Sequence, residues 1–390
     1  MRVLHIIKTA TGAAWVYQQV RVLRSLGVEI VVALPPSDSS TLAEYKRIGA
    51  TVVELDLNPP VAAPWRTPSV LAACRTLVAD VRPDLIHSHH VGTTLIVRRA
   101  LGKAHRIPRI YQVAGPLHLE HGFFVNLDIK SAGPQDHWIA ICQWIRRKYG
   151  ELGVGAERIF LSYLGTDLRM FSQVRSGQLR RELGIASGAP LIGMVAYMYA
   201  PKWFLGQKRG LKGQEDFITA YNILRKDNAG LRGVIIGGPW AGARWYEKQL
   251  HELARRLCGD SLSFIGTRAD IPTLYPDLDL AVVPSHSEGV AGAAVEPLLS
   301  GVPVVATNVG GLPDLVRDNE TGWLVPPRNP EALARAISDA LRDKAEAGRR
   351  TLQGQRLAQA LFDVERTGRE VAAIYEQILT RAGRERAVYV

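Results

Sequence analysis

The chain has 390 residues, of which 47% are hydrophobic, and it carries 48 Lys and Arg against 37 Asp and Glu, a net charge of +11. This length allows two domains of ordinary size, and the composition is that of a soluble globular protein. No apolar run approaches the ~20 residues that span a bilayer. Three distant cysteines exclude a disulfide framework and a cysteine metal site, which fits a reducing, cytoplasmic compartment.

Short apolar runs typical of strands alternate with helical patterns along the whole chain. The first run, VLHII, is too short for the core of a signal peptide and predicts a buried strand. A helix over about 13–26 follows, and further strands are predicted at VEIVVALP, TVVEL, DLIHSH, RIYQVAG and DHWIAIC. The second half predicts strands at PLIGMVAYM, LRGVIIGG, LSFIGT, LDLAVVPS, VPVVAT and TGWLVPP, with helices at 213–226, 244–257, 292–300 and 330–345.

Continuously apolar strands separated by helices indicate parallel sheets that are covered on both faces. The predicted fold class is therefore α/β, with two doubly wound parallel-sheet domains facing across a cleft. We place the N-terminal domain at residues 1–170 and the C-terminal domain at 171–365, because 163–177 is irregular and rich in Gly, Ser and charge. The segment 366–390 has helical apolar spacing and is expected to pack back onto the first domain.

Ligands of open parallel sheets bind beyond the carboxyl ends of the strands, so the residues that follow strands are the candidates for a site. After the first strand, KTATGAAWV places Gly12 where a helix begins, which suits a ligand or the opposing domain close to the backbone. A tight strand–helix turn explains this glycine equally well. The stretch is not a dinucleotide fingerprint, because G-x-G-x-x-G is absent.

Two glutamates follow the strand LDLAVVPS in the stretch SHSEGVAGAAVEPLLSG. Glu288 leaves the strand end, residues 289–292 are predicted to form a turn, and Glu296 lies about one turn into an apolar helix. A carboxylate in such a helix needs a partner, and it can accept two hydrogen bonds from the hydroxyls of a ribose. The free amides at the helix start can bind a diphosphate. We therefore expect one acid to face a sugar and the other a ribose, with phosphates between them.

The loop YAPKWFLGQKRGLKGQEDF follows another strand and carries four basic residues, Lys202, Lys208, Arg209 and Lys212. An isolated run of charges is more often a solvated loop. Its place after a strand favours the neutralisation of a phosphate leaving group instead.

Two further motifs suggest metal ligands, but their context argues against that role. Asp277 and Asp279 form a D-x-D, but Asp279 begins a strand instead of following one, so no metal is expected there. His87, His89 and His90 lack a fourth ligand at a suitable spacing, and structural or cleft-lining roles are expected for them.

The basic excess is concentrated in the first half, with a net charge of +7 over residues 1–165 and +4 over the rest. Such a field can attract an anionic partner, but no nucleic-acid motif is visible and nucleic acid is not expected as one. These charges suggest an anionic membrane as the partner, with peripheral contact at its inner face. The residues expected at that surface are Arg98, Arg99, Lys103 and Arg106, with Arg146, Arg147 and Lys148.

The stretch SEGVAGAAVEPLLSGVPVVATNVGGLPDLV resembles the E-x7-E donor motif of family 4 glycosyltransferases, which are retaining enzymes of the GT-B fold. The similarity extends in order along nearly the whole chain, to VRPDLIHSHH, YLGTDLRMF, LKGQEDF, FIGTRADIPTLYPDLDLAVVPS and ETGWLVPPRNPEALARAI. It implies transfer of a sugar from a nucleotide-sugar, ordinarily UDP- or GDP-linked, to an acceptor hydroxyl with retained anomeric configuration. It implies no cofactor and no metal, and it leaves a glycan, a lipid-linked saccharide and a small metabolite open as the acceptor.

The resemblance also implies roles for individual residues. Glu296 would bind the donor ribose, and Glu288 would face the hydroxyls of the donor sugar. Lys212 would contact the diphosphate with Gly12 beneath it, and Arg268 would lie near the base. The turn between the glutamates would contact sugar and phosphate through the backbone amides of Gly289, Val290, Ala291 and Gly292.

The sequence departs from the family pattern at three places. Tyr197 stands where an arginine is usual, and Arg209 or Lys208 in the enlarged loop is the candidate to supply the missing charge. The turn at Val290 and Ala291 is less bulky than usual, which leaves the donor sugar open.

The third departure concerns a cleft histidine that the family often has after a strand of the first domain. Ala114 stands at that place in this sequence. His118 is expected to take over its role, with His121 as the alternative.

Two other functions share this architecture. One is a GT-B-fold nucleotide-sugar 2-epimerase, and the other is a two-lobed sugar-binding protein that does no chemistry. The phosphate-binding lysine loop favours the transferase over a binding protein. Incubation with the nucleotide-sugar alone would distinguish the epimerase, since it needs no acceptor.

Overall fold

The computed structural model describes residues 1–10, 13–37, 40–186, 188–290 and 292–388. The chain forms two compact units, one of Met1–Asp167 with Phe362–Val390 and the other of Leu168–Leu361. Each unit is built on one parallel sheet with helices, so the predicted α/β class with two parallel-sheet units is confirmed. No helix in the described ranges is long and apolar enough to cross a membrane.

The first unit contains a seven-stranded sheet. Its strands are β1 (Arg2–Ile6), β2 (Glu29–Leu34), β3 (Thr51–Glu54), β4 (Leu85–Ser88), β5 (Arg109–Val113), β6 (Asp136–Ala140) and β7 (Ile159–Leu161). The spatial order is β3-β2-β1-β4-β5-β6-β7, and every neighbouring pair is parallel. The helices of this part are α1 (Ala14–Ser25), α2 (Thr41–Arg47), α3 (Thr67–Val81), α4 (Val91–Leu101), α5 (Gly122–Ser131) and α6 (Gln143–Glu151).

The second unit contains a six-stranded sheet. Its strands are β8 (Leu191–Val195), β9 (Arg232–Ile236), β10 (Leu262–Phe264), β11 (Leu280–Val283), β12 (Val304–Thr307) and β13 (Trp323–Val325). The spatial order is β10-β9-β8-β11-β12-β13, again with parallel pairs throughout. Its helices are α7 (Gln178–Glu182), α8 (Gln214–Asp227), α9 (Arg244–Cys258), α10 (Ile271–Leu274), α11 (Gly292–Leu299), α12 (Leu312–Leu315), α13 (Pro330–Arg342) and α14 (Lys344–Phe362).

Alternation along the strands explains why both faces of the first sheet are covered. Val3 lies in a core shared with α1, whereas its neighbour Leu4 lies in a separate core shared with α3 and α4. Successive side chains of a strand point to opposite faces, so a strand that is apolar at every position needs a helix layer on each side. Each of the twelve predicted strands overlaps an observed one, and β7 is the one strand of the described residues that was not predicted.

The last helix, α15 (Val364–Val388), belongs to the first unit. It packs against α1 and places Val371, Ile374, Tyr375 and Ile378 in the core that α1 shares with the sheet. These residues recur at three- and four-residue spacing, which forms one face of a helix.

The two aspartates of the D-x-D motif hold the start of the second unit in place. Asp277 is fully buried and accepts hydrogen bonds from the backbone of Gly177 and Leu179, at 2.7 and 2.9 Å. Asp279 accepts from Arg180 at 2.6 Å and from Arg175 at 2.8 Å. Both carboxylates therefore serve the fold by fixing the segment that leads into α7.

One of the basic residues predicted at the surface of the first unit, Arg98, lies instead in a buried network of ion pairs. Arg98 is 2% exposed, and its guanidinium donates to Asp128 at 2.6 Å and to Asp136 at 2.9 Å. Arg109 donates to the other oxygen of Asp136 at 2.7 Å. The prediction that Arg98 faces an anionic surface is therefore wrong, because its side chain points into the interior while that of Arg99 is exposed.

This network predicts opposite outcomes for two adjacent arginines. Arg98→Ala leaves two carboxylates buried with one cation fewer, and we expect it to lower the free energy of unfolding by about 3–5 kcal/mol. Arg99→Ala, the matched control on the exposed face of α4, should change it by no more than about 0.5 kcal/mol. Urea unfolding followed by circular dichroism measures both, and equal losses would show that the network contributes nothing particular.

Candidate functional site

The candidate site lies in the second unit, at the edge where β8, β10 and β11 end. All strand pairs of this sheet are parallel, so the loops that follow these strands leave from the same edge. Lys212 lies in the loop after β8, Arg268 follows β10, and Glu288 follows β11. The parallel strands therefore place three loops that are distant in sequence at one edge of the sheet.

Lys212 and Glu288 form an ion pair. The Nζ of Lys212 lies 2.5 Å from Oε2 of Glu288, and the side chains are 20% and 12% exposed. Ser285 donates a second hydrogen bond to the same oxygen at 3.2 Å. The Nζ also lies 5.7 Å from the ring centroid of Tyr199, which is close enough for a cation–π interaction. The two side chains that were predicted to contact diphosphate and sugar are therefore direct neighbours.

The backbone joins the two loops that carry this pair. The amide of His286 donates to the carbonyl of Leu211 at 2.8 Å. Gly213 has a φ of +75°, and a Cβ at this position would lie 2.0 Å from the carbonyl oxygen of Pro284. Only glycine fits so close to the neighbouring backbone, so Gly213 allows the lysine loop to approach the glutamate loop.

A second polar cluster supports the lysine loop from the first turn of α8. Asp216 is buried and forms an ion pair with Arg209, and its other oxygen lies 2.6 Å from Nε2 of His286. Arg209, the candidate to replace the missing arginine, is therefore held by a carboxylate of its own unit. The sequence alone indicates no role for Asp216 or His286, because their contact joins positions 70 residues apart.

The glycine pair after β12 supports the turn that begins at Glu288. A Cβ on Gly310, whose φ is +52°, would lie 1.7 Å from the carbonyl oxygen of Glu288. Gly311 donates its amide to the carbonyl of Gly289 at 2.7 Å. No role was predicted for the NVGG segment, although a Gly-Gly after a strand signals a close backbone approach.

The turn between the glutamates leads directly into α11. Gly289 is buried, Val290 is partly exposed and Gly292 is exposed at the start of the helix. Ala291 lies outside the described residues, as does Gly12 in the first unit, so the structure adds nothing about either.

Glu296 folds back toward the start of its own helix. A Cβ on Gly292 would lie 2.8 Å from its Oε1, so the absence of a side chain there leaves room for the carboxylate. Burial raises the pKa of Glu296 above its ordinary value, and the neighbouring Tyr275 hydroxyl opposes that shift. Glu296 is partly exposed, so sugar hydroxyls can reach this carboxylate and stabilise its charge by hydrogen bonds.

The surroundings of Arg268 and Tyr197 differ from those of the Lys212–Glu288 ion pair. Arg268 donates to Asp270 at 2.6 and 2.8 Å and to Glu182 at 2.8 Å, so its guanidinium is held by two carboxylates. Tyr197 is 41% exposed, and its ring packs against Trp240 with centroids 5.1 Å apart. The predicted role of Arg268 near a base stays a prediction, with these ion pairs as its surroundings.

The predicted histidine belongs to the first unit and is buried there. His118 is 7% exposed, and its Nε2 lies 3.1 Å from the hydroxyl of Tyr149 and 3.5 Å from Asp128. Burial alone would raise the pKa of Asp128, but His118, Arg98 and Tyr149 together lower it to about 2. His121, the alternative, is partly exposed at the start of α5, and Ala114 is partly exposed after β5. The catalytic role of His118 stays a prediction, and its interior contacts favour a structural role.

A second group of histidines is fully buried in the first unit. The ring nitrogens of His5, His87 and His89 lie within 4.8 Å of one another, which makes this group the candidate for holding a metal in the described part of the chain. His5 and His89 share a hydrogen bond of 2.9 Å, and the Nδ1 of His87 lies 2.6 Å from the hydroxyl of Tyr375. Burial lowers the pKa of all three, that of His5 to about 3, so they are neutral. The rings bond one another and α15, in agreement with a structural role.

Comparison with known protein families identifies the family of this chain. A family model described as Glycosyltransferase Family 4 matches residues 12–169, and one described as Glycosyl transferases group 1 matches residues 203–356. Together the two models account for most of both units. The chain belongs to the family 4 glycosyltransferases.

Curated relatives of this family 4 glycosyltransferase agree with that result. The D-inositol 3-phosphate glycosyltransferase of Nocardia farcinica is 32% identical over 197 residues, which are 49% of this chain and 42% of the relative. The lipopolysaccharide core mannosyltransferase LpsB of Rhizobium meliloti is 28% identical over 177 residues, 45% of this chain and 50% of the relative. The matched part of the chain spans about half the length of these relatives or less.

Solved structures show the same GT-B fold along the whole family 4 chain. HepE of Anabaena, crystallised with UDP-glucose, superposes with a TM-score of 0.80 at 23% identity, covering 96% of this chain and 99% of that one. The sucrose-phosphate synthase of Thermosynechococcus elongatus gives 0.78 at 19% identity, covering 98% and 100%.

The raised pKa of Glu296 predicts a pH-dependent effect on stability. A carboxyl whose pKa is raised on folding stabilises the protein most below its ordinary pKa, and that contribution is lost as pH rises through the raised value. Glu296→Gln removes the charge that burial disfavours, so the variant should gain melting temperature relative to wild type as pH increases from 4 to 8. Glu252→Gln on the exposed face of α9 is the control and should show no trend. A constant difference at every pH would contradict the prediction.

Proposed function

We propose that this family 4 glycosyltransferase is a retaining, metal-independent hexosyltransferase that uses a UDP- or GDP-linked sugar donor. The acceptor is a hydroxyl of a glycan or of a lipid-linked precursor. The observation that supports this proposal is the Lys212–Glu288 ion pair at the carboxyl edge of the second sheet, beside the start of α11. The names of the relatives, and the UDP-glucose bound to HepE, support a nucleotide-sugar donor.

The proposed donor position assigns one task to each element of the site. Lys212 and the free amides at the start of α11 bind the diphosphate, which becomes more negative as the bond to the sugar breaks. Glu288 accepts hydrogen bonds from the hydroxyls of the transferred sugar. Glu296, which folds back toward the same helix start, accepts from the ribose.

The chemistry requires no nucleophile from the protein. As the anomeric carbon–oxygen bond breaks, the electron pair goes to the diphosphate, and the acceptor hydroxyl attacks the oxocarbenium-like sugar on the same face. Its proton passes to the departing phosphate oxygen. In the free site, Glu288 neutralises Lys212, so a diphosphate that binds Lys212 also releases Glu288 to accept from the sugar.

Incubation with nucleotide-sugars in the presence of EDTA tests the proposal directly. UDP-glucose and a panel of other UDP- and GDP-sugars are supplied with and without a mixture of lipid and glycan acceptors, and products are analysed by NMR. We expect acceptor-dependent transfer with the anomeric configuration of the donor. Epimerisation of the donor without acceptor would favour the epimerase, and inverted product or loss of activity in EDTA would contradict the proposal.

Lys212 and Arg209 are expected to differ in their effect on turnover. Lys212→Ala removes a preorganised positive charge from the leaving group and should lower kcat by about 10²–10³-fold. Arg209→Ala should have a smaller effect, because its guanidinium is already paired with Asp216. If Arg209→Ala abolishes turnover while Lys212→Ala retains it, the enlarged loop has transferred the role to Arg209.

Substitutions of the two glutamates are expected to have different effects on ligand binding and turnover. Glu296→Gln should weaken both UDP and UDP-sugar by about 1.5–3 kcal/mol, because the ribose is common to the two ligands. Glu288→Gln should leave UDP binding unchanged or tighter, since it frees Lys212, and should cut turnover steeply. Calorimetry with UDP beside turnover measurements separates the two roles, and weak UDP binding by the Glu288 variant alone would reverse them.

A further inference from the structure

Two exposed tryptophans lie close together in the second unit, one in the enlarged loop after β8 and the other at the start of α9. Trp203 is 71% exposed and begins a single 3-10 turn, and Trp245 is 46% exposed in the first turn of α9. Their ring centroids lie 5.9 Å apart, so the two indoles form one surface. Exposing two adjacent indoles to water is unfavourable, and contiguous exposed apolar patches mark interaction sites.

Backbone pairing beyond the ends of β8 and β9 brings together a second group of aromatic rings in the loops that follow these strands. Met198 donates to Gly238 at 2.9 Å, and Trp240 donates to Met198 at 3.2 Å. Because Met198 points into the core, its neighbours Tyr197 and Tyr199 point the other way, and both rings pack against Trp240. Tyr197, Trp240 and Tyr199 therefore form a second aromatic group in the same unit, and this group reaches Lys212 through Tyr199.

The charge around the two tryptophans is predominantly positive. Residues 200–210 and 240–248 contain five basic side chains and one acid, Glu247. Arg209 is paired with Asp216, and Lys248 lies 3.9 Å from Glu252. Lys202, Lys208 and Arg244 flank the tryptophans and are also exposed.

We propose that this aromatic–basic surface, formed by Trp203, Trp245, Lys202, Lys208 and Arg244, binds the interface of an anionic lipid bilayer. Tryptophan is favoured at the level of lipid headgroups because its ring is apolar and its N–H is polar. Lysine and arginine add attraction to anionic headgroups, about 1 kcal/mol for each charge near the surface. A neutral sugar ring would stack on the indoles equally well, but it would gain nothing from three flanking cations.

The proposal goes beyond sugar transfer, and it also narrows the acceptor if the proposed function holds. Trp203 lies in the same loop as Tyr199 and Lys212, so the lipid surface and the candidate site share this loop. An acceptor hydroxyl carried by a membrane lipid would then be presented to the site from the bilayer. The surface differs from the basic clusters that the sequence suggested, which lie in the first unit.

Flotation of the full-length protein with lipid vesicles tests this inference. The probes are vesicles of phosphatidylcholine alone and of phosphatidylcholine mixed with phosphatidylglycerol, at low and high salt. We expect binding to the anionic vesicles only, a blue shift of tryptophan emission, and weaker binding at high salt. Trp203→Ala with Trp245→Ala should weaken binding at least about tenfold. Replacing the three flanking cations by Gln should weaken it about fivefold per charge.

Matched controls keep the result interpretable. Trp65→Ala removes a tryptophan of the first unit that is 76% exposed and should leave vesicle binding unchanged. UDP binding measured on every variant reports on the donor site independently, so failure of the membrane inference is distinguishable from failure of the proposed function. Vesicle binding that survives the double tryptophan substitution would overturn the inference, as would no binding to anionic vesicles at low salt. Quenching of the two tryptophans by soluble oligosaccharides, with no effect of vesicles, would assign the surface to a glycan instead.

Discussion

The ion pair between Lys212 and Glu288 is the interaction on which the arrangement of the site depends. It joins two loops that are 76 residues apart in sequence, and it is mostly removed from water. Taking both charges out of water costs several kcal/mol per ion, which only close and well-supported geometry offsets. That geometry exists because β8 and β11 are adjacent parallel strands, whose following loops must leave from one edge.

The contacts around this ion pair have a common effect. They let the backbones of neighbouring loops come close enough for Lys212 and Glu288 to pair. Gly213 and Gly310 each lie where a side chain would collide with the loop that holds Glu288. His286 and Asp216 add a polar contact between the same two segments. A site assembled in this way is ordered before any ligand arrives, so little reorganisation is needed when charge develops on a leaving group.

The sequence predicts the strands of this fold well, because parallel strands buried on both faces are short and continuously apolar. It misses β7, which has only three residues, two of them partly exposed, and therefore carries a weak pattern. It also misplaces Arg98. Four basic residues are spread over a helix and the loop that follows it, and their spacing does not reveal which one faces the interior. Asp128 and Asp136, which decide that question, come from distant elements.

The candidate site follows the same rule. The positions of Lys212 and Glu288 after strands could be predicted, because strand ends are visible in the sequence. Their direct contact could not, and neither could the ion pairs that hold Arg268, since both depend on which loops become neighbours in space. Glu296 was recognised as an acid in an apolar helix, but its return toward Gly292 depends on the side-chain conformation.

The packing of α15 on the first unit also has a consequence for biosynthesis. The hydroxyl of Tyr375 lies 2.6 Å from His87 and 3.3 Å from His5, so residues of the first strands bond a residue that is synthesised after the whole second unit. The second unit, whose residues are consecutive, can fold on the ribosome as soon as it emerges, whereas the first must wait with part of its core uncovered. The unit whose synthesis begins earlier is therefore the one whose core is completed later.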